Sequence, residues 1–554
     1  MRKLFPSAVI ATTMLALALL PLAQVHAQAT AKPVAIVSIA DVGKLKGDIN
    51  YLAEAAGQQG LAMFGMMAAE QYLQLLDPTK PIGVLVNFNF DGPIPMPAGV
   101  AFLPIKDFDK AITMIEQAMA VEAQDLGNGV RQIDGFPPVF LKKSGDWAFA
   151  STDPFSLGNL PDDPAALLNG LNEEYDIAIS VLMQNIPDDA KQMAMMQIRQ
   201  GIDAGLGAAG DSPDAELAKQ LSDNSFDQLE MFLTETESMT IGWNIDPQGQ
   251  NTYFDFSVTA LEGTAFAETM ALYGESKSDF SGFLVPEAAV TMNVSTPIPS
   301  DQTEQLKVSM DQLRQQVLSE LENDRALDDP EIKELVDSLV GKLFDTFTAM
   351  MEAGKIDAGA SLVLQPNLML TAGAFVADGK ALDDVLREII ILASQEPGAP
   401  QVNLDAEEHA GVIFHTLSID ARELDSQAER ILGNETLDVA VGTGKETIYL
   451  AVGKDALSAL KEAIDASAAG SPENLPLFQT TVTLGAILEF AQTVDESGAM
   501  AMMAPLFEQV SGNDRISMTE TAIERGILMR VEVEAGVLKL IGGVAGAVGG
   551  PPAF

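Results

Sequence analysis

Two periods run along the chain. In short runs apolar residues occupy every second position, which predicts strands; in longer runs they recur every three to four positions, which predicts helices. In the first half the strand pattern falls at 35–40, 83–90, 99–103, 129–133, 138–142, 147–151, 176–183, 238–245 and 251–258. Helical pattern occupies 45–56, 107–120 and 188–204. The second half repeats these elements in the same order, with strands at 289–295, 359–364, 369–376, 411–417, 437–442, 447–452, 479–484, 516–522 and 526–533. Its helical stretches are 301–321, 380–393, 486–494 and the C-terminal run 537–550. The turn sequences Asp246-Pro-Gln-Gly and Gly442-Thr-Gly separate paired strands, and Asp328-Asp329-Pro330 is a helix start.

Element types recurring in one order predict an internal duplication. Hairpins outnumber strand–helix–strand crossovers, so the sheets should be mostly antiparallel. The expected fold class is α+β: two tandem duplicated domains, each a mostly antiparallel sheet with helices packed on one face. The expected division is 1–27 as a signal peptide, 28–280 and 281–550 as the two domains, and 551–554 as a tail.

The leader reading comes from Arg2 and Lys3, the apolar run 8–20, and the small residues of Val25-His26-Ala27. It predicts an exported protein, periplasmic or extracellular, cleaved after Ala27. The run is short for a membrane span and ends at Pro21. No later window is apolar enough to span, so the mature chain should contain no membrane span.

Composition then removes whole classes of chemistry. The chain has 554 residues, no cysteine and a formal net charge of −47. Disulfides, thiolate metal sites and cysteine nucleophiles are excluded. A phosphate backbone would be repelled, so nucleic acid is not an expected partner. With 47% hydrophobic residues, the chain has ample material for packed cores.

Three phrases, Gly145-Asp-Trp-Ala-Phe-Ala-Ser151, Asn185-Ile-Pro-Asp-Asp189 and Ile241-Gly-Trp-Asn-Ile245, together with the acidic composition, resemble large exported proteins of unknown function from planctomycete bacteria. The resemblance implies export and brings no catalytic residue or ligand with it.

Short motifs are each better read as structure. Asn87-x-Asn89-x-Asp91-Gly92 opens like a calcium loop, but the position needing a bidentate Glu is Ala98. Gly442-Thr443-Gly444-Lys445 lacks the remaining residues of a phosphate loop. Ser458-x-x-Lys461 matches the serine–lysine pair of penicillin-recognising enzymes without their other motifs. His409 and His415 could join a carboxylate around a metal, but His415 fits a half-buried strand face and His409 precedes that strand. The tail glycines Gly542, Gly546 and Gly550 suit a closely packed C-terminal helix.

Methionine is the unusual residue, 25 in all. Thioethers fill cores, line adaptable apolar grooves, or bind Cu(I). Core filling is the ordinary use. The groove reading supplies the candidate site: Met63, Met66, Met67, Met193, Met196, Met350, Met351, Met500 and Met503. No catalytic residue, metal ligand or cofactor is assigned. The expected function is that of an exported acidic envelope protein, non-enzymatic, with a binding or structural role. The alternatives are a carrier of apolar, lipid-like molecules in a Met-lined groove and an unrecognised hydrolase. The expected partner is an apolar small molecule or another envelope protein.

Overall fold

Burial alternating residue by residue marks strands that are covered more on one face than on the other. Lys355–Val363 and Met369–Phe375 show this pattern directly. The computed structural model describes residues 32–549 apart from 90–95, 136, 208–225, 227, 275, 323–329, 366–367, 395–399, 401, 421–430, 432–435, 471–474 and 495–511.

The strands of the first half are β1 (Ala35–Ile39), β2 (Ile82–Asn89), β3 (Met96–Pro104), β4 (Ala123–Gly127), β5 (Val130–Ile133), β6 (Val139–Ser144), β7 (Trp147–Ser151), β8 (Ile177–Val181), β9 (Thr236–Asp246) and β10 (Asn251–Ala260). Those of the second half are β11 (Val290–Pro297), β12 (Lys355–Val363), β13 (Met369–Phe375), β14 (Val402–His409), β15 (Val412–Asp420), β16 (Thr436–Thr443), β17 (Thr447–Gly453), β18 (Phe478–Thr483), β19 (Arg515–Ile523) and β20 (Gly526–Glu534). The helices used below are α1 (Val42–Ala55), α2 (Gln59–Leu73), α3 (Phe108–Met119), α4 (Asp188–Gly207), α5 (Ala265–Tyr273), α6 (Ser300–Glu322), α7 (Pro330–Glu352), α8 (Gly379–Ala393), α9 (Ala456–Ala468), α10 (Leu484–Val494) and α11 (Ala535–Gly549).

The chain divides into two units, Met1–Met270 with Glu524–Phe554, and Ala271–Ile523. The seam therefore passes between β19 and β20. β20 thus belongs with the first unit and β19 with the second.

Among the described residues, the strand pairings within each unit are antiparallel. In the first unit the strand order is β4-β5-β6-β7-β3-β2-β1-β8-β9-β10-β20. In the second it is β14-β15-β16-β17-β13-β12-β11-β18-β19. The nine strands of the second order follow the same connectivity as the first nine of the first.

Cover lies on both faces of each sheet, not on one. In the first unit Phe102, Phe149 and Ile36 pack under the short turns holding Leu157 and Leu168. The opposite face carries α3, with Phe108, Ala111 and Met114 against Ile105 and Ala148. In the second unit Ala456, Leu460 and Ile464 of α9 join Phe280, Phe283, Phe414 and Tyr449. Asp383 of α8 bonds His415 and Thr443 on the other face. Sheets of nine or more strands offer apolar side chains on both surfaces, so burial on one alone would leave the other wet. Among the described residues, no helix is long and apolar enough to cross a membrane.

Candidate functional site

The first unit's sheet has one face made almost wholly of apolar side chains. Strand register lines them up in rows. One row runs Val37, Ile179, Ile241, Phe256 and Met529 across β1, β8, β9, β10 and β20. The next runs Ile39, Ile177, Trp243, Phe254 and Val531. A third runs Ala35, Val181, Met239, Val258 and Ile527. The first row continues the other way through Val84, Ala101, Ala150 and Leu141.

Exposure grades across this face. Val84 and Ala101 are buried. Ile179, Ile241 and Phe254 are 45%, 56% and 49% exposed. Core residues of this size would be covered, at about 1.5–3 kcal/mol gained for each complete burial. At the open end two aromatic rings lie against each other. The Trp243 and Phe254 rings stack at 5.7 Å and 4°. The indole Nε1 donates to Thr252 Oγ1 at 2.7 Å, which leaves the ring's apolar surface as the part on offer.

Polar groups on the reverse face hold the same strands in register. Arg530 donates from Nε and a terminal nitrogen to the two oxygens of Asp255, at 2.8 and 2.7 Å. Tyr175 Oη donates to Asp255 Oδ2 at 3.0 Å, and its ring lies over Gly242, where any Cβ would clash. Burial, with the Asp255 charge beside it, pushes the Tyr175 hydroxyl well above its ordinary value. The guanidinium of Arg530 stacks 3.8 Å over the Tyr253 ring.

Next to this staple lies a second buried polar group. Asp176 is buried; its Oδ2 accepts from the Ile245 amide at 2.8 Å, and its Oδ1 lies 3.0 Å from Lys44 Nζ. Lys44 also donates to Asn244 Oδ1 at 3.0 Å. Asp48, buried on α1, has its carboxyl pushed up to about 7 by burial, by the Asp176 charge and by a hydrogen bond to Asp176.

The methionines fall on three helices. Met63, Met66 and Met67 lie on α2, Met193 and Met196 on α4, and Met350 and Met351 on α7. Met63 and Met67 are mostly exposed, as is Phe64 between them. Met196 is exposed, Met193 is half-buried, and Met195 is the buried one of that cluster. Met350 and Met351 are half-buried. Met500 and Met503 lie outside the described residues. The sheet face was not among the sequence candidates. Its signal was present in the alternation at 239–243 and 254–258, but alternation does not say whether a face is covered.

The histidines are spoken for separately. His415 is buried; its Nε2 donates to Asp383 Oδ1 at 2.7 Å, and its Nδ1 accepts from the Asp405 amide at 3.1 Å. Both ring nitrogens are thereby engaged. Burial pushes the Asp383 carboxyl up, but donation from His415, Arg387 and Thr443 outweighs it and holds it below its ordinary value. His409, the last residue of β14, bonds Asp465 at 2.8 Å. The two rings thus address different carboxylates, and among the described residues no cluster of three His, Asp or Glu could hold a metal.

A cavity of about 350 Å³ in the second unit is lined by Thr416, Ser418, Asp438, Asp455, Ser458 and Lys461. Its polar groups largely satisfy one another. Asp438 accepts from Ser418 Oγ at 2.7 Å and from the Asp455 amide at 3.1 Å. Lys461 is paired with Glu407 at 2.7 Å. The serine–lysine motif therefore lines this rim with its ammonium already engaged. The glycine–threonine motif is the β16–β17 turn, with Thr443 bonded to Asp383.

No family model matches the chain, and no curated protein or solved structure matches it.

Proposed function

We propose that this chain is an exported binder of apolar, lipid-like molecules, which lie against the open apolar face of the first unit's sheet. One observation carries the reading: of three rows of apolar side chains aligned across five strands, two remain about half exposed, at Ile179, Ile241 and Phe254. An exposed patch of this kind marks a binding surface more often than ordinary protein surface. The exposed Met63, Phe64 and Met67 of α2 add adaptable apolar contacts. Export is supported by the basic, apolar and small-residue pattern of residues 1–27 and by the planctomycete resemblance. Duplication of one sheet-and-helix body is supported by the common strand order.

The acid excess disfavours anionic ligands, so a neutral probe is appropriate. Fluorescence titration of the purified chain with a neutral fluorescent diacylglycerol is expected to saturate at one or a few sites. Ile241→Glu places a charge on the open face, where it costs the fold little because Ile241 is half exposed. It is expected to weaken binding by roughly tenfold or more, about 1.4 kcal/mol. Ile241→Leu is expected to retain it. Absence of saturable binding, or equal binding by Ile241→Glu, overturns the reading.

A further inference from the structure

Helix α1 presents an unusual face to the sheet. Lys44, Asp48 and Tyr51 lie at helical spacing on one side, and that side is polar although it is turned inward. Two buried atoms there, Asp48 Oδ2 and Tyr51 Oη, have no hydrogen-bond partner, and Asp176 Oδ1 has only the Lys44 ammonium, at 3.0 Å. Two ionised carboxylates pressed together in a buried place would repel each other with little solvent to screen them. A single proton between them removes the difficulty. It turns one carboxyl into a donor and the other into its acceptor, and it leaves one negative charge for Lys44 to balance.

We propose that the Asp48–Asp176 pair is a proton-operated clasp, which holds α1 against the sheet while one proton is shared and loosens it when that proton is lost. The groups facing the pair are few. On α1 they are Lys44 and Tyr51; on β9 they are Asn244 and Asp246. Asp246 adds further negative charge, so it also favours the protonated pair. From α2, Glu70 is engaged by Lys46 at 2.8 Å, beyond the clasp. Helix α1 leads through Gly57, at a positive φ of 65°, directly into α2 with its exposed Met63, Phe64 and Met67. Loosening α1 therefore frees the anchor of the Met-rich helix. The clasp stands whether or not the apolar face is occupied.

The direction follows from linkage. The Asp48 carboxyl is raised in the folded state, so its contribution to stability is complete below the ordinary carboxylate value. It declines as pH rises toward about 7 and then levels off. Hydrogen exchange of the amides of residues 45–56, corrected for intrinsic rates, tests this on the full mature chain. Between pH 5 and 7.5 the opening constant is expected to rise by roughly ten- to a hundredfold, with little change from 7.5 to 8.5. Asp48→Asn keeps a donor without a charge, and is expected to hold protection high and flat across the range. Asp176→Asn gives a second test, with the same flattening expected. Flat exchange in the unsubstituted chain, or an unchanged pH dependence in whichever variant folds, overturns the clasp. The first of these outcomes requires no variant at all.

Discussion

Asp255 is 2% exposed, so its partners decide whether the first unit can keep a charge there. Arg530 supplies two parallel donors and Tyr175 a third. Removing one member of such a pair leaves the other buried and uncompensated, and the cost is typically larger than the pair's own net worth. Arg530→Ala is expected to destabilise the fold by about 3 kcal/mol, read from urea unfolding midpoints. Replacing both charges, Arg530→Met with Asp255→Asn, is expected to recover most of that loss, since the amide oxygen still accepts from Tyr175. If the double variant is as unstable as the single one, the charge was not the issue and packing of the guanidinium over Tyr253 was. His415 is the second unit's parallel case. Its alternating context predicts a half-buried strand position, yet it is only 2% exposed because both nitrogens find partners.

Two hairpin turns, one in each unit, use the same backbone at the scale of elements. Between β4 and β5 stand Asn128 and Gly129, with φ of 53° and 78°. Between β14 and β15 stand Ala410 and Gly411, with φ of 50° and 78°. Two consecutive positive φ values define the tight turn that matches strand twist, and asparagine–glycine is its favoured sequence. Alanine pays a Cβ penalty in that region that asparagine largely avoids. Ala410→Asn is therefore expected to stabilise the second unit by about 0.5–1 kcal/mol, seen as a raised unfolding temperature; a neutral or lower value would mean the turn relaxes out of this conformation. These hairpins also show where sequence reading ran short. The patterned elements 99–103, 147–151, 238–245 and 369–376 coincide with β3, β7, β9 and β13 in the expected order. β4 and β14 are not legible in this way, because residues 124–127 and 403–408 are exposed and mostly polar or charged, so no apolar alternation marks them. Each lies at the end of its unit's strand order, where lateral hydrogen bonding, not burial, makes the strand. The methionine clusters were legible as helical, but their spread over α2, α4 and α7 depends on tertiary placement that spacing cannot encode.

For the first unit as a whole, the decisive piece of chain arrives last. Strand β20 pairs with β10 along nine residues, from Asn251 with Glu534 to Thr259 with Gly526. It also carries Ile527, Met529 and Val531 into the apolar rows and Arg530 onto the reverse face. Helix α11, which follows, approaches α1 so closely that a Cβ at Gly542 would meet the Ala56 carbonyl oxygen. A unit made from residues 28–270 alone would therefore have an unpaired β10 edge, a half-exposed apolar face and a buried Asp255 without its arginine. Exposed apolar edge strands recruit other chains. That fragment is expected to aggregate or to unfold without cooperativity. Joining residues 524–554 to it through a flexible linker is expected to restore a cooperative monomer, because β20 re-pairs along β10 and returns Arg530 to Asp255. Circular dichroism melts and light scattering on the two fragments read the difference. The same contacts bring together segments far apart in the chain, so loop closure before pairing is costly and this unit should finish folding late. With Arg530→Ala in the linked fragment, closure loses its charge pair but keeps nine residues of strand pairing. It should then melt lower than the unsubstituted linked fragment and still melt cooperatively. Equal melting of the linked and unlinked fragments would show that β20 merely decorates an already complete sheet.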